Sequence, residues 1–423
     1  MQSAIGHVRA VVNRILFIGV SVQIVLGLFW MLLAFDDRQA FAGSAYTEWL
    51  DGHFSGFPYE PAVYLIQLSV ALFAGYRLME GLGAEKAFWK IWGSLALMTY
   101  PYAMQCHMAI LPDSLAFSFF LLLCAAGLKG KKSIYVFWLL SAVFLPEYLY
   151  FGAVPVVFGF VMSAGKNGDF KKIGLEVLVI GVVAVMVSGF HKFAETEHDS
   201  LGEAWFRRTV WSSFYQFYPD WPEELRQAIG TEEYDAIQAM PENMITIVQP
   251  KAKAVLGEAE ARDWFKEFGM FVFKANREQL AAEVIKDAGG YAVPQVMVPL
   301  RLAGKGGYSL CGRNYEVMRA GHPLLTRYYV DYSAIWFVSG VMLLVVLAVA
   351  DWFGRGLGTD VKQDKKSRQW ILSAGMISGG LMVIWYTLWE SNLWDPKKAL
   401  FVGALWILSM IVRKEFTGTR QNS

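Results

Sequence analysis

Apolar residues in this chain gather in long unbroken runs, not in the alternating or every-third-residue stripes of a water-soluble core. A helix needs about 20 consecutive apolar residues to cross a bilayer. Runs that reach or approach this length fall at 13–34, 61–79, 87–103, 113–128, 133–146, 147–164, 173–190, 333–352, 370–389 and 397–412. They predict an all-α polytopic membrane protein with about ten transmembrane helices. The runs 133–146 and 147–164 meet at Pro146-Glu147 and the first is short, so they read either as two spans or as one broken element.

The polar stretches between the runs are sorted by charge. If every run crosses, Arg9 and Arg14, Lys86 and Lys90, Lys129, Lys131 and Lys132, Lys166, Lys171 and Lys172, the cluster from Arg355 to Arg368, and Arg413, Lys414 and Arg420 share one side. The positive-inside rule makes that side cytoplasmic, together with both termini, and the setting reads as a bacterial plasma membrane. The chain then divides into an amino-terminal transmembrane module (1–190), an extracytoplasmic, mostly helical segment (191–332), and carboxy-terminal spans with a short tail (333–423).

The first extracytoplasmic loop (35–60) carries Phe41, Ala45 and Trp49 at every fourth position, the stripe of a short surface helix, with Gly52, Gly56 and Pro58 expected to end it. Pro61 suits the first turn of the next span. In the long segment, 257–288 reads as one or two helices closed by Gly289-Gly290.

Composition agrees with this picture and narrows it. The chain has 423 residues, 55% hydrophobic and 15% aromatic; its net charge of +1 hides short basic clusters and longer acidic segments and so says nothing about nucleic acid, which is not an expected partner. Cys106, Cys124 and Cys311 are too few and too scattered for a disulfide framework or a zinc knuckle. The amino-terminal run lacks a small-residue cleavage site and is expected to be retained as a span.

Candidate chemistry begins where the first run stops, at Asp36 and Asp37. Ionised carboxylates are not tolerated in hydrocarbon, so this pair marks a membrane boundary. One of the two can serve as a general base, its pKa raised by partial desolvation and by its like-charged neighbour. Alternatively Asp36 caps the surface helix, with Gln39 completing a capping box. Asp113 opens the fourth run in Leu111-Pro112-Asp113-Ser114. As a helix-starting residue it would contribute about 1 kcal/mol as a cap. The topology also brings it to the same face as Asp36 and Asp37. Arg207 and Arg208 supply positive charge suited to a phosphate. Tyr59, Glu60 and His107 lie on the same face and are candidate substrate contacts, although an interfacial histidine is more often ordinary. Gly304-Lys305-Gly306-Gly307 lacks the spacing of a nucleotide-binding phosphate loop.

Three stretches resemble polytopic glycosyltransferases of the GT-C superfamily, of the protein-mannosyltransferase-like family 39 type. Phe35-Asp36-Asp37-Arg38-Gln39-Ala40-Phe41 with Trp49-Leu50-Asp51-Gly52 is similar to the acid-containing first loop. Gly75-Tyr76-Arg77-Leu78, leading through Tyr100-Pro101 to Leu111-Pro112-Asp113-Ser114, resembles the block that ends at the head of the fourth helix. The order of spans, long outer segment and further spans is similar as well. The likeness covers about the first 190 residues. Tyr59-Glu60-Pro61 departs from the His-Pro-Pro of many members.

The resemblance implies a GT-C-like bundle that transfers a sugar from a polyprenyl-phosphate carrier, with inversion, to a glycan, lipid or protein acceptor at the outer face of the bilayer. Asp36 or Asp37 would be the base, Asp113 would position donor or acceptor, and Arg207 and Arg208 would receive the departing phosphate. No cofactor is required, although a divalent metal bridging Asp and phosphate fits the chemistry. Two other readings stand beside it: a transporter or flippase of lipid-linked saccharides, and a non-catalytic assembly subunit of the same architecture.

Overall fold

The computed structural model describes residues 2–34, 39–40, 45–54, 59–110, 112–145, 148–149, 151–157, 181–182, 214–239 and 247–292, with scattered positions between 324 and 408. These residues are mostly helical. The chain divides into two compact units, one of 1–194, 293–380 and 396–423, the other of 195–292 and 381–395.

In the first unit, α1 (Gln2–Ala34) is followed by a two-residue strand β1 (Gln39–Ala40), α2 (Ala45–Phe54) and α3 (Glu60–Gly81). Next come α4 (Ala87–Thr99), α5 (Pro101–Met108), β2 (Ala109–Ile110), α6 (Pro112–Leu128) and α7 (Ile134–Phe144). Among the described residues two helices are long and apolar enough to cross a membrane, Gly6–Leu32 and Pro61–Gly81; Pro112–Leu128 and Ile134–Phe144 are apolar but shorter. The expected spans 173–190, 333–352, 370–389 and 397–412 lie largely outside the described residues.

Local chemistry sets the helix ends. Pro61 sits in the first turn of α3, where its missing N–H costs nothing. Gly83, with φ 92°, ends that helix in the left-handed region, and Ala84 N–H returns to Met79 O. The run 87–103 was expected to be one helix, but it breaks at Tyr100, which is extended (φ −72°, ψ 148°). Pro101 causes this, because its ring excludes the preceding residue from helical backbone. The surface helix runs from Ala45 through Gly52 to Phe54 and stops between the Gly52 and Gly56 that were expected to end it. Glycine weakens a helix by about 1 kcal/mol without forbidding it.

α6 lies at the centre, buried from Asp113 to Ala126 except at Phe119. It packs on α3 and α7, while α4 packs on α3 and on α1. Small residues let these helices approach closely: a Cβ at Gly75 would lie 2.9 Å from Ser94 Cα, and one at Gly27 would lie 2.8 Å from Thr99 O. α1 buries Leu16, Val20, Gln23 and Trp30 on one face. Its opposite face exposes Val8, Val11, Ile15, Ile18, Val22, Val25, Phe29 and Leu32. An outward face this apolar is stable against hydrocarbon and costly in water.

The second unit has the opposite surface. Its elements are α8 (Phe214–Phe217), a single 3₁₀ turn at Tyr218–Asp220, α9 (Glu223–Ala228), α10 (Thr231–Ala239), α11 (Gln249–Leu256) and α12 (Glu258–Ala292). On α12, Ala261, Phe265, Phe268 and Val272 form a helical stripe that closes over Trp221, Leu225, Ile237 and Val248. Arg262, Asp263, Lys266 and Glu267 face outward, as on a helix in water. α12 bends at Asn276 and runs past Gly289-Gly290 to Ala292, beyond the end expected from the sequence.

Candidate functional site

The acid-bearing first loop and the head of α6 are linked through backbone pairing. β1 and β2 are parallel neighbours, with Gln39 opposite Ala109 and Ala40 opposite Ile110. Asp37 lies two residues and Asp36 three residues before this ladder in the chain, and Asp113 lies three residues after it. Gln39 therefore belongs to a strand, and the capping box read for Asp36 and Gln39 does not form: the helix it would have started begins at Ala45.

Asp36, Asp37, Arg207 and Arg208 lie outside the described residues. Asp113 is in the first turn of α6 and is 6% exposed. The free N–H groups and dipole of a helix start favour a carboxylate there.

His107 and Ser114 form the polar centre behind Asp113. Nδ1 of His107 and Oγ of Ser114 share a 2.7 Å hydrogen bond, and both residues are buried. Ser118 Oγ donates to Ser114 O at 2.7 Å, which braces the first turn of α6. His107 lies in the turn between two expected spans, and burial pushes its pKa down to about 4. Its imidazole is thus neutral at physiological pH. His107, expected as a candidate substrate contact, is 1% exposed.

Tyr59 and the start of α3 anchor the surface helix. Leu50 of α2 packs with Val63, Tyr64 and Tyr59, and Phe54 approaches the Tyr59 ring with centroids 6.3 Å apart. Tyr59 O accepts from Val63 N–H at 3.0 Å. Glu60 is the first residue of α3. Trp49 is exposed and lies 4.6 Å from the His53 ring, centroid to centroid. Among the described residues, no group of three or more His, Cys, Asp and Glu gathers to hold a metal ion.

The sequence reading missed Ser114 as the partner of His107 and missed the β1–β2 ladder. The only signal for the first was a polar pair seven residues apart bracketing a Pro-Asp helix start. Comparison with protein-family models, curated proteins and solved structures finds no match.

Proposed function

We propose that the chain is a multi-pass membrane glycosyltransferase. It moves a sugar from a polyprenyl-phosphate carrier to an acceptor hydroxyl at the extracytoplasmic face, with inversion. The observation that carries this reading is the β1–β2 ladder, which joins the segment just after Asp36-Asp37 to the segment just before buried Asp113. The pairing is parallel, so the chain of the acid pair enters at one end of the ladder and the chain of Asp113 leaves at the other. It supports a first loop attached to the head of α6, and the meeting of the acids there is part of the proposal.

In the proposed step Asp36 or Asp37 takes the acceptor proton as its oxygen bonds to the anomeric carbon. The bond from that carbon to the phosphate oxygen breaks, and the polyprenyl phosphate leaves with the electron pair. Arg207 and Arg208 are proposed to stabilise its charge. Asp113 orients donor or acceptor. The apolar outward face of α1 supports a bilayer setting, and the charged surface of α12 supports an aqueous setting for the second unit.

Membranes carrying the protein, supplied with radiolabelled polyprenyl-phosphate sugars, test the reading. Asp36→Asn or Asp37→Asn is expected to abolish transfer with protein level unchanged. Transfer that survives both substitutions rules this mechanism out. A flippase of lipid-linked saccharides gains some support from Gln23, an amide buried in α1 whose Nε2 has no hydrogen-bond partner among the described residues. It would retain translocation in both Asp variants.

A further inference from the structure

The hydrogen bond between His107 and Ser114 ties the last turn of α5 to the first turn of α6 across seven residues of chain. Everything between them belongs to the proposed site: β2, which pairs with β1, then Pro112 and Asp113. Pro112 has no N–H and one fixed dihedral, so the approach to α6 has little freedom once its two ends are tied. Ser118 holds the Ser114 carbonyl from the next turn. The result is a closed buckle, with the ladder to the first loop on one side and Asp113 on the other.

We propose that His107 is a positioning residue that acts through Ser114. The His107–Ser114 latch sets the register of β2 on β1 and fixes Asp113 at the head of α6. This rests on the glycosyltransferase reading for its consequence in sugar transfer, but not for its geometry. A neutral imidazole suits the role: it keeps one ring nitrogen for Ser114 at all ordinary pH and puts no charge in a buried place.

The geometry is read by cysteine cross-linking in the full-length protein. Gln39→Cys and Ala109→Cys are installed with Cys106, Cys124 and Cys311 replaced by alanine. Directly paired strand positions have Cα separations within the disulfide range of about 4.4–6.8 Å. Closure under a mild oxidant is followed by loss of maleimide-polyethylene-glycol labelling. Rapid closure is expected with His107 present and slower closure, by about tenfold or more, in His107→Ala and in Ser114→Ala. His107→Asn, whose amide stands near the Nδ1 position, is expected to restore closure. His107→Gln, whose amide reaches the Nε2 position, is not. A residue that merely fills space would not separate these two amides.

Equal closure rates in the His107→Ala, Ser114→Ala and parent proteins overturn the latch, as does failure of His107→Asn to restore closure while the milder Ser114→Ala slows it. Transfer from radiolabelled polyprenyl-phosphate mannose and glucose is measured in parallel. There the latch predicts a fall in kcat with KM for the donor held, again restored by His107→Asn. If the parent closes in a His107-dependent way yet transfers neither sugar, the transfer reading loses support and the latch stands. If the parent transfers sugar while closure ignores His107, the latch falls and the transfer reading stands.

Discussion

The Tyr329 phenol donates a 2.6 Å hydrogen bond to the carbonyl of Thr99, 230 residues earlier in the chain. Thr99 ends α4, so its carbonyl is among the last four that a helix cannot satisfy internally. The break that Pro101 imposes thus exposes an acceptor inside an apolar bundle, and a distant tyrosine meets it. Tyr329 also lies 5.7 Å from the Trp30 ring, centroid to centroid, so the same side chain reaches α1. Tyr329→Phe keeps the ring and removes only the hydroxyl. It is expected to destabilise the protein by about 1–3 kcal/mol, the cost of a buried acceptor left unmet. Thermal unfolding of purified protein in detergent measures it, and an unchanged midpoint would show that Thr99 finds another donor.

Two glycines on facing helices separate hard contacts from soft ones. A Cβ at Gly75 would stand 2.9 Å from Ser94 Cα, a backbone atom that can yield only by moving α4. A Cβ at Gly93 would meet Met79 Sδ at 2.6 Å and Met79 Cε at 2.7 Å, the far end of a flexible side chain. Gly75→Ala is therefore expected to cost about 1–3 kcal/mol as overpacking. Gly93→Ala is expected to cost less than about 1 kcal/mol. The ordering is read by thermal unfolding of the two variants side by side.

These particulars show which parts of the chain speak from sequence. Pro61 and the apolar run after it announce α3, because a first-turn proline and a membrane-length run each act locally. The spacing of Ala261, Trp264, Phe265 and Phe268 likewise announces α12, and the structure adds Val272 to the buried stripe. Asp113 could be placed at a helix start from its proline alone. The ladder between Gln39 and Ala109 could not be read, since two residues carry no period and their pairing depends on where α1, α5 and α6 bring the chain. The role of His107 was hidden for the same reason: a histidine in a short turn looks interfacial until the fold closes over it and leaves Ser114 as its partner.

Burial of His107 makes acid sensitivity a property of the fold. Its folded pKa is lowered to about 4 from an ordinary 6.5, so between these values the unfolded chain binds a proton that the folded chain refuses. Stability is then full above pH 6.5 and falls as pH drops toward 4. A shift of this size corresponds to about 3 kcal/mol at most. His107→Asn carries no titrating group and is expected to flatten the dependence between pH 6.5 and 4. Unfolding midpoints of parent and variant across that interval measure it, and parallel curves would refute it.

A separate acid dependence belongs to the second unit, through Glu233. Its Oε2 accepts from Lys251 Nζ at 2.8 Å and from the N–H of Gly230 at 2.8 Å. The second contact is half of a capping box, in which the third residue of α10 reaches back to the residue before the helix. Lys251 also donates to Ala228 O, so one ammonium joins α11 to the end of α9 and the start of α10. The hydrogen bond from Lys251, then that from Gly230, lower the Glu233 pKa below its ordinary 4.5. A depressed carboxyl pKa adds stability that is present above 4.5 and is lost as pH falls through the lower folded value. This lies on the acid side of the His107 window, so the two effects separate on one pH axis. Glu233→Gln keeps the shape and cannot ionise. It is expected to unfold more readily than the parent near neutral pH and to converge with it in strong acid, followed by tryptophan fluorescence from Trp221 and Trp264, which lie in this unit's core. A gap that stays constant down the whole pH range would show that the carboxylate charge contributes nothing there.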